Sequence, residues 1–179
     1  MNYQDILHFW FEEIEPKQIW IKDPVFDKLI INRYSEVYGK AIRCELYEWR
    51  EHPEGRLAEI IILDQFSRNM FRDSAKAFAF DSLALCLAQQ AIVTKDDQKI
   101  EKSRRSFMYL PFMHSESQEI HQYALKIYQE FGEQSSLDFE IKHKNIIDRF
   151  GRYPHRNKAL GRQSTQDEIK FLTQRGSGF

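Results

Sequence analysis

Apolar side chains recur at steps of three and four along most of the chain, the period of helices that bury one face. Ile6, Leu7, Phe9, Trp10, Phe11 and Ile14 predict a short amphipathic helix over residues 3–14. Asp23-Pro24 supplies an N-cap followed by a first-turn proline. Behind it Phe26, Leu29, Ile30, Tyr34, Val37, Tyr38, Ala41, Ile42, Leu46 and Trp49 predict one long helix over roughly 24–50, ended by His52-Pro53 and Gly55. From Leu57 to Met70 the chain is apolar nearly all round, which predicts a central, buried helix. Ser74 caps the next expected helix, whose core face runs from Ala77 and Phe78 to Ala88 and Ala91. A polar turn with a short helix is expected over 94–102.

Farther on, the apolar run after Arg104 is expected to end at Pro111, with His114 and Glu116 in the turn that follows. Ser115 or Ser117 can cap a helix carrying Ile120, Tyr123, Ala124, Ile127, Tyr128 and Phe131, closed by Gly132. Ser135 or Ser136 opens another through Leu137 to Phe150, with His143 on its inner side. Thr165-Gln166-Asp167-Glu168 is a capping box ahead of a last short helix. Residues 174–179 should fray unless Phe179 docks. No strand-type alternation interrupts this pattern. The expectation is an all-α domain over residues 1–179, a bundle or degenerate array of about eight helices.

Polar residues set into this pattern carry the candidate chemistry. Asp64 and Arg68 fall on the same stripe as Leu57, Ile60 and Ile61 at about 100° per residue. They form an acid-first i, i+4 pair. It is either a structural ion pair or the floor of a cleft flanked by Gln65, Asn69 and Arg72. Asp81 interrupts an apolar face, so it needs a cationic or N–H partner, and one of the arginines is the obvious candidate. His121 falls on an exposed flank and receives no role. The densest cluster is Ile147–Arg162, with four arginines, Lys158 and His155 against the single carboxylate of Asp148. Gly151, Pro154 and Gly161 shape it into a loop, and arginine forks suit carboxylate or phosphate.

Composition narrows the rest. The 179 residues carry a net charge of −1, which gives no bias toward nucleic acid or acidic membranes, and the basic patch is short for RNA. The start lacks a signal-peptide pattern, and no apolar run nears the ~18 residues of a span. Cys44 and Cys86, in helical and largely apolar contexts without Cys-x-x-Cys spacing, read as reduced packing residues of a cytoplasmic protein. No Gly-rich phosphate loop, dinucleotide fingerprint, Gly-x-Ser-x-Gly elbow or His-Glu-x-x-His helix is present. No metal or other cofactor is expected, because His114, Glu116, His143 and His155 offer no helical ligand spacing.

Three segments resemble the signatures of a bacterial family known only as a domain of unknown function, with a tetratricopeptide-like all-helical fold. They are Leu63-Asp64-Gln65-Phe66-Ser67-Arg68-Asn69, Tyr109-Leu110-Pro111-Phe112-Met113-His114-Ser115-Glu116 and Phe150-Gly151-Arg152-Tyr153-Pro154-His155-Arg156-Asn157. The likeness runs from Phe9-Trp10 to Thr165. Ser67 stands where proline is expected and Tyr153 where phenylalanine is usual. The resemblance implies the fold and supplies no activity.

Two functions follow from the residues. In one, a pocket binds a small anion through Asp64, Gln65, Arg68, Asn69, Arg72, His143, Arg149, Arg152, Arg156, Asn157 and Arg162. His114, Glu116 or His155 then serves as acid or base. In the other, a helical-repeat module grips an acidic peptide or C-terminus.

Overall fold

A computed structural model describes residues 1–178, so the expected docking of Phe179 lies outside the described residues. Among the described residues the chain is helical throughout and has no strand. We number its helices α1 (Tyr3–His8), α2 (Pro24–Ile42), α3 (Pro53–Ile61), α4 (Ser67–Met70), α5 (Asp81–Val93), α6 (Lys102–Met113), α7 (Gln118–Phe131), α8 (Gln134–Phe150) and α9 (Gln166–Leu172). A π-helical stretch, Ile62–Phe66, joins α3 to α4, so Pro53–Met70 is one continuous rod.

The rod is the centre of the fold, as its all-round apolarity predicts. Leu57, Ala58, Ile60, Ile61, Ile62, Leu63 and Phe66 are all fully buried. The main core runs from Ile6 to Tyr128, with α1, α2, α5 and α6 packed around the rod. Phe9, Tyr34 and Phe66 pack as tilted rings, with centroid distances of 4.8 Å for the Phe9–Tyr34 and Tyr34–Phe66 pairs. Such contacts strengthen burial beyond its area. A smaller second cluster, Ile146, Ile147 and Tyr153, forms where α8 meets the loop behind it.

Several boundaries differ from the expectation, each for a local reason. The helix from Pro24 stops at Ile42, not near residue 50. Glu45 N–H bonds the Lys40 carbonyl at 3.0 Å and Cys44 N–H bonds Ala41 at 2.9 Å. That double bond pattern is a Schellman cap, here with Cys44 at φ 57° in the place usually taken by glycine. A 3-10 turn, Tyr47–Glu51, then leads to the rod. Cys44 and Cys86 are both exposed, so neither is the packing residue expected.

The helix expected from Ser74 is divided in two. Ser74 caps a 3-10 turn, Ala75–Phe78, and α5 begins afresh at Asp81, where a carboxylate complements the helix dipole. The region Ala75–Val93 has the length and mean hydropathy, 1.2, of a membrane span by composition alone. The break leaves α5 with 13 residues, roughly 20 Å at ~1.5 Å per residue and short of a ~30 Å hydrocarbon core. Helix α6 passes through Pro111 and ends at Met113, two residues later than expected. Helix α8 starts at Gln134, with Glu133 rather than a serine at its cap position. The Ser117 cap, the Gly132 stop and the Thr165 capping box all form.

Gly55 marks the tightest backbone approach: a Cβ there would lie 2.0 Å from the Trp49 carbonyl oxygen. That oxygen cannot yield without moving the turn before the rod. Gly55→Ala should therefore cost about 1–3 kcal/mol, the range for overpacking, in urea melts. An unchanged midpoint would show that the turn is free to shift.

Candidate functional site

The rod places an ionised carboxylate in the middle of the core. Asp64 is 1% exposed, and the wide π-turn around it holds its side chain toward the end of α6. Its Oδ1 accepts a 2.7 Å bond from His114 Nδ1–H and lies 3.2 Å from Arg68 Nη1. Gln65 Nε2 donates to its Oδ2. Burial pushes the Asp64 carboxyl up, but Arg68 and His114 outweigh it and hold it well below the usual range. Burial together with the Arg68 charge lowers His114 in spite of Asp64, so the imidazole is neutral at neutral pH. With Nδ1–H given to Asp64, Nε2 carries the lone pair and makes no hydrogen bond among the described residues.

Arg68 links this dyad to α5. Its Nη1 and Nη2 bond Asp81 Oδ1 and Oδ2 at 3.0 and 2.9 Å, while Nη1 also donates to the Asp64 carbonyl at 2.6 Å. Asp81 therefore has the arginine partner its position demanded. It takes a second one from the arginine-rich loop, where Arg156 Nη1 lies 3.4 Å from Oδ2. Arg156 is sandwiched between Phe78 and Tyr153, its guanidinium carbon 4.7 and 4.5 Å from their ring centroids. Its side chain is 7% exposed, and its Nε–H is buried with no partner. Burial and the neighbouring Arg68 lower its pKa to about 10, still protonated but undercompensated.

Tyr153 holds the loop against this cluster. It is fully buried, its hydroxyl donates to the Met113 carbonyl at 2.5 Å, and it packs against His143 and His155 at 5.7 and 5.5 Å between centroids. Burial takes His143 to about 3 and His155, also beside Arg156, to about 4. His155 Nδ1 is a second buried nitrogen without a partner. His143 is buried and faces inward, and its Nδ1–H donates to the Phe139 carbonyl at 2.8 Å.

Other expected members serve elsewhere. The pairing of His114 with Glu116 does not form, because Glu116 is taken by Arg162. Arg162 Nη1 and Nη2 bond its two oxygens at 2.5 and 2.9 Å, and Tyr153 N–H bonds Oε1 at 2.8 Å. Both carboxylate oxygens are thereby used, and the pair clamps the loop rather than moving a proton. Asn157 Oδ1 accepts from Arg162 Nε at 3.0 Å and belongs to the same clamp. Arg152 staples α9 through a bidentate bond to Glu168, at 2.6 and 2.8 Å. Asn69 and Arg72 both turn to Asp27 on α2, at 2.8 Å from Asn69 Nδ2 and 2.6 Å from each Arg72 nitrogen, away from His114. Arg149 lies on Phe150 and Phe171. The loop is therefore no open cradle of charge: internal carboxylates answer three of its four arginines.

His121, expected on an exposed flank, is fully buried. Its Nδ1 is hydrogen-bonded to Glu140 Oε1 at 2.7 Å and its Nε2–H donates to the Ser115 carbonyl at 2.9 Å, fixing the turn that carries His114. Burial raises the Glu140 carboxyl although His121 opposes it. Sequence periodicity also missed Phe78 and Tyr153 as walls of the cluster. Asp81 alone had a signal, a charge interrupting an apolar face. Among the described residues no group of three or more His, Cys, Asp or Glu converges as a metal site.

The fold and site define an all-α protein with a buried carboxylate–histidine dyad flanked by two arginines. The chain belongs to a bacterial protein family of unknown function, DUF924, whose model matches residues 6–176. It is similar to the solved structure of the protein of unknown function ATU0120 from Agrobacterium tumefaciens. The two share 38% identity and a TM-score of 0.89, over 95% of this chain and 96% of that one. No curated protein matches the chain.

Two measurements test the electrostatics. Asp64→Ala leaves Arg68 and His114 without their central acceptor and should cost ~3–5 kcal/mol in urea melts; a loss under ~1 kcal/mol would contradict a buried ion pair. His114, His143 and His155 all have depressed folded pKa values. Below the unfolded pKa of ~6.5 the unfolded chain therefore binds more protons, and stability falls as pH falls. Between pH ~6.5 and ~5, above the carboxylate range, the loss should approach roughly 1.4 kcal/mol per pH unit for each of His143 and His155, and His155→Asn should lower the slope. A flat profile in that window would mean that the imidazoles are solvated.

Proposed function

We propose that the Asp64–His114–Arg68–Arg156 cluster binds a small molecule bearing a phosphate or carboxylate and removes a proton beside it. The observation that carries this reading is the set of unused nitrogens: Arg156 Nε and His155 Nδ1, buried without partners, and His114 Nε2. Buried donors without acceptors are costly, and an anion supplies acceptors to the guanidinium. Arg156 and Arg68 would offset negative charge on the ligand. His114 Nε2 would accept the proton, and Asp64 would stabilise the resulting imidazolium. Access is through the exposed parts of His114, Arg68 and Asp81, each about a fifth exposed or less.

Two finer points belong to the same reading. The short α7–α8 connection makes a helical hairpin of the kind that stacks in tetratricopeptide-like folds. Exposed, unpaired cysteines fit a reducing cytoplasm.

Sulfate and phosphate should raise the melting temperature more than chloride at equal ionic strength. Arg156→Leu should abolish the difference, and Arg152→Ala, on the α9 staple, should retain it. Anion binding should also raise the His114 imidazole pKa followed by NMR in the wild-type protein. Equal melting temperatures in all three salts, with an unmoved His114 titration, would refute the reading.

A further inference from the structure

A cleft of about 610 Å³ lies between α8 and α9 and shares no lining residue with the His114 cluster. Phe139, Phe150 and Phe171 line it together with Lys142, Arg149 and Arg175, and no acidic side chain does. Phe139 is half exposed. The three cations differ from the arginines that tie the fold together. Arg50, Arg68, Arg72, Arg152 and Arg162 are each forked onto a carboxylate. Lys142, Arg149 and Arg175 make no ion pair among the described residues. Lys142 and Arg149 lie instead on aromatic faces, 4.9 Å from the Phe139 centroid and 4.6 Å from that of Phe150.

The spacing of these groups selects the occupant. Phe139, Lys142, Ile146 and Arg149 follow one another on α8 at steps of three, four and three, a single stripe. The stripe alternates apolar and cationic positions over roughly 15 Å. An anionic amphiphile brings one charge at the end of one tail and would meet only one of the cations. A peptide with acidic and apolar side chains at helical steps meets several at once.

We propose that this groove docks an acidic amphipathic segment of a partner protein, its apolar side chains on Phe139, Phe150 and Phe171 and its carboxylates on Lys142, Arg149 and Arg175. The recognition combines aromatic anchors with a rim of charge, so it should weaken with salt.

The test uses the whole chain and a fluorescein-labelled peptide with Glu and Leu at alternating helical steps, read by fluorescence anisotropy. Binding is expected to weaken with added salt and to be absent for the same peptide with Lys in place of Glu. Lys142→Glu with Arg149→Glu should weaken it roughly tenfold or more, with far-UV spectrum and melting temperature unchanged. Phe139→Ala, which keeps every charge, should weaken it as well. No anisotropy change with the wild-type protein, equal affinity for the Lys peptide, or undiminished binding by the variants would overturn the proposal. Displacement of the peptide by monomeric oleate at matched concentration, or a shift to dimers that the Lys142/Arg149 variants abolish, would assign the groove to a lipid or to a second copy and would also overturn it. Because these substitutions lie outside the His114 cluster, sulfate stabilisation should survive them, so the two sites fail or hold separately.

Discussion

A charged carboxylate almost sealed from water is the constraint around which this fold is arranged. Asp64 sits in the most buried segment of the chain, where an uncompensated charge would be prohibitive. Its compensation comes from its own helix through Arg68 and Gln65 and from α6 through His114. Arg68 then needs more than Asp64 can give and reaches the first residue of α5. Asp81 in turn draws Arg156 in from the loop. Three helices and one loop are thereby tied to a single buried charge, and the connections run through side chains that a purely apolar core would not require.

The second layer of control is the clamp on the loop. Glu116 and Arg162 hold the backbone of Tyr153, and the Tyr153 hydroxyl reaches the end of α6. His121 and Glu140 fix the same α6–α7 turn from the other side. These contacts make the position of His114 a property of four elements at once. A site held this way has its geometry fixed by the fold, as the proton transfer proposed above would require.

Most of the fold was legible because it rests on period and caps. The rod from Leu57, the Ser117 cap and the Thr165 capping box are read from side-chain chemistry that acts locally. The end of α2 was not legible, since the left-handed residue at its cap is Cys44 and only the finished hydrogen bonds explain it. The site was legible in part. Asp64, Arg68, His114, His155 and Arg156 do come together, and Asp81 announced its need for a partner by interrupting an apolar face. Glu116, Arg152 and Arg162 pair away from His114, because residue type shows that a carboxylate or guanidinium will seek a partner, not which one lies nearest. His121 was missed because a helical flank becomes buried only when a second helix, here α8, covers it.

The π-turn over Ile62–Phe66 also sets how the two halves of the rod are turned against each other. A π-turn closes its hydrogen bonds one residue farther along than an α-turn, so it accommodates one residue more than the regular coil would hold. Straightening that turn into regular α-helix at unchanged length would leave the helix itself unbroken. Everything after the turn would then rotate by about 100° relative to what precedes it. Arg68 and the groups behind it would swing away from α5 while the apolar half of the rod stayed seated. The molecule would remain a helical bundle yet lose its charged centre, so the extra residue acts as a phase setting between two halves of one helix.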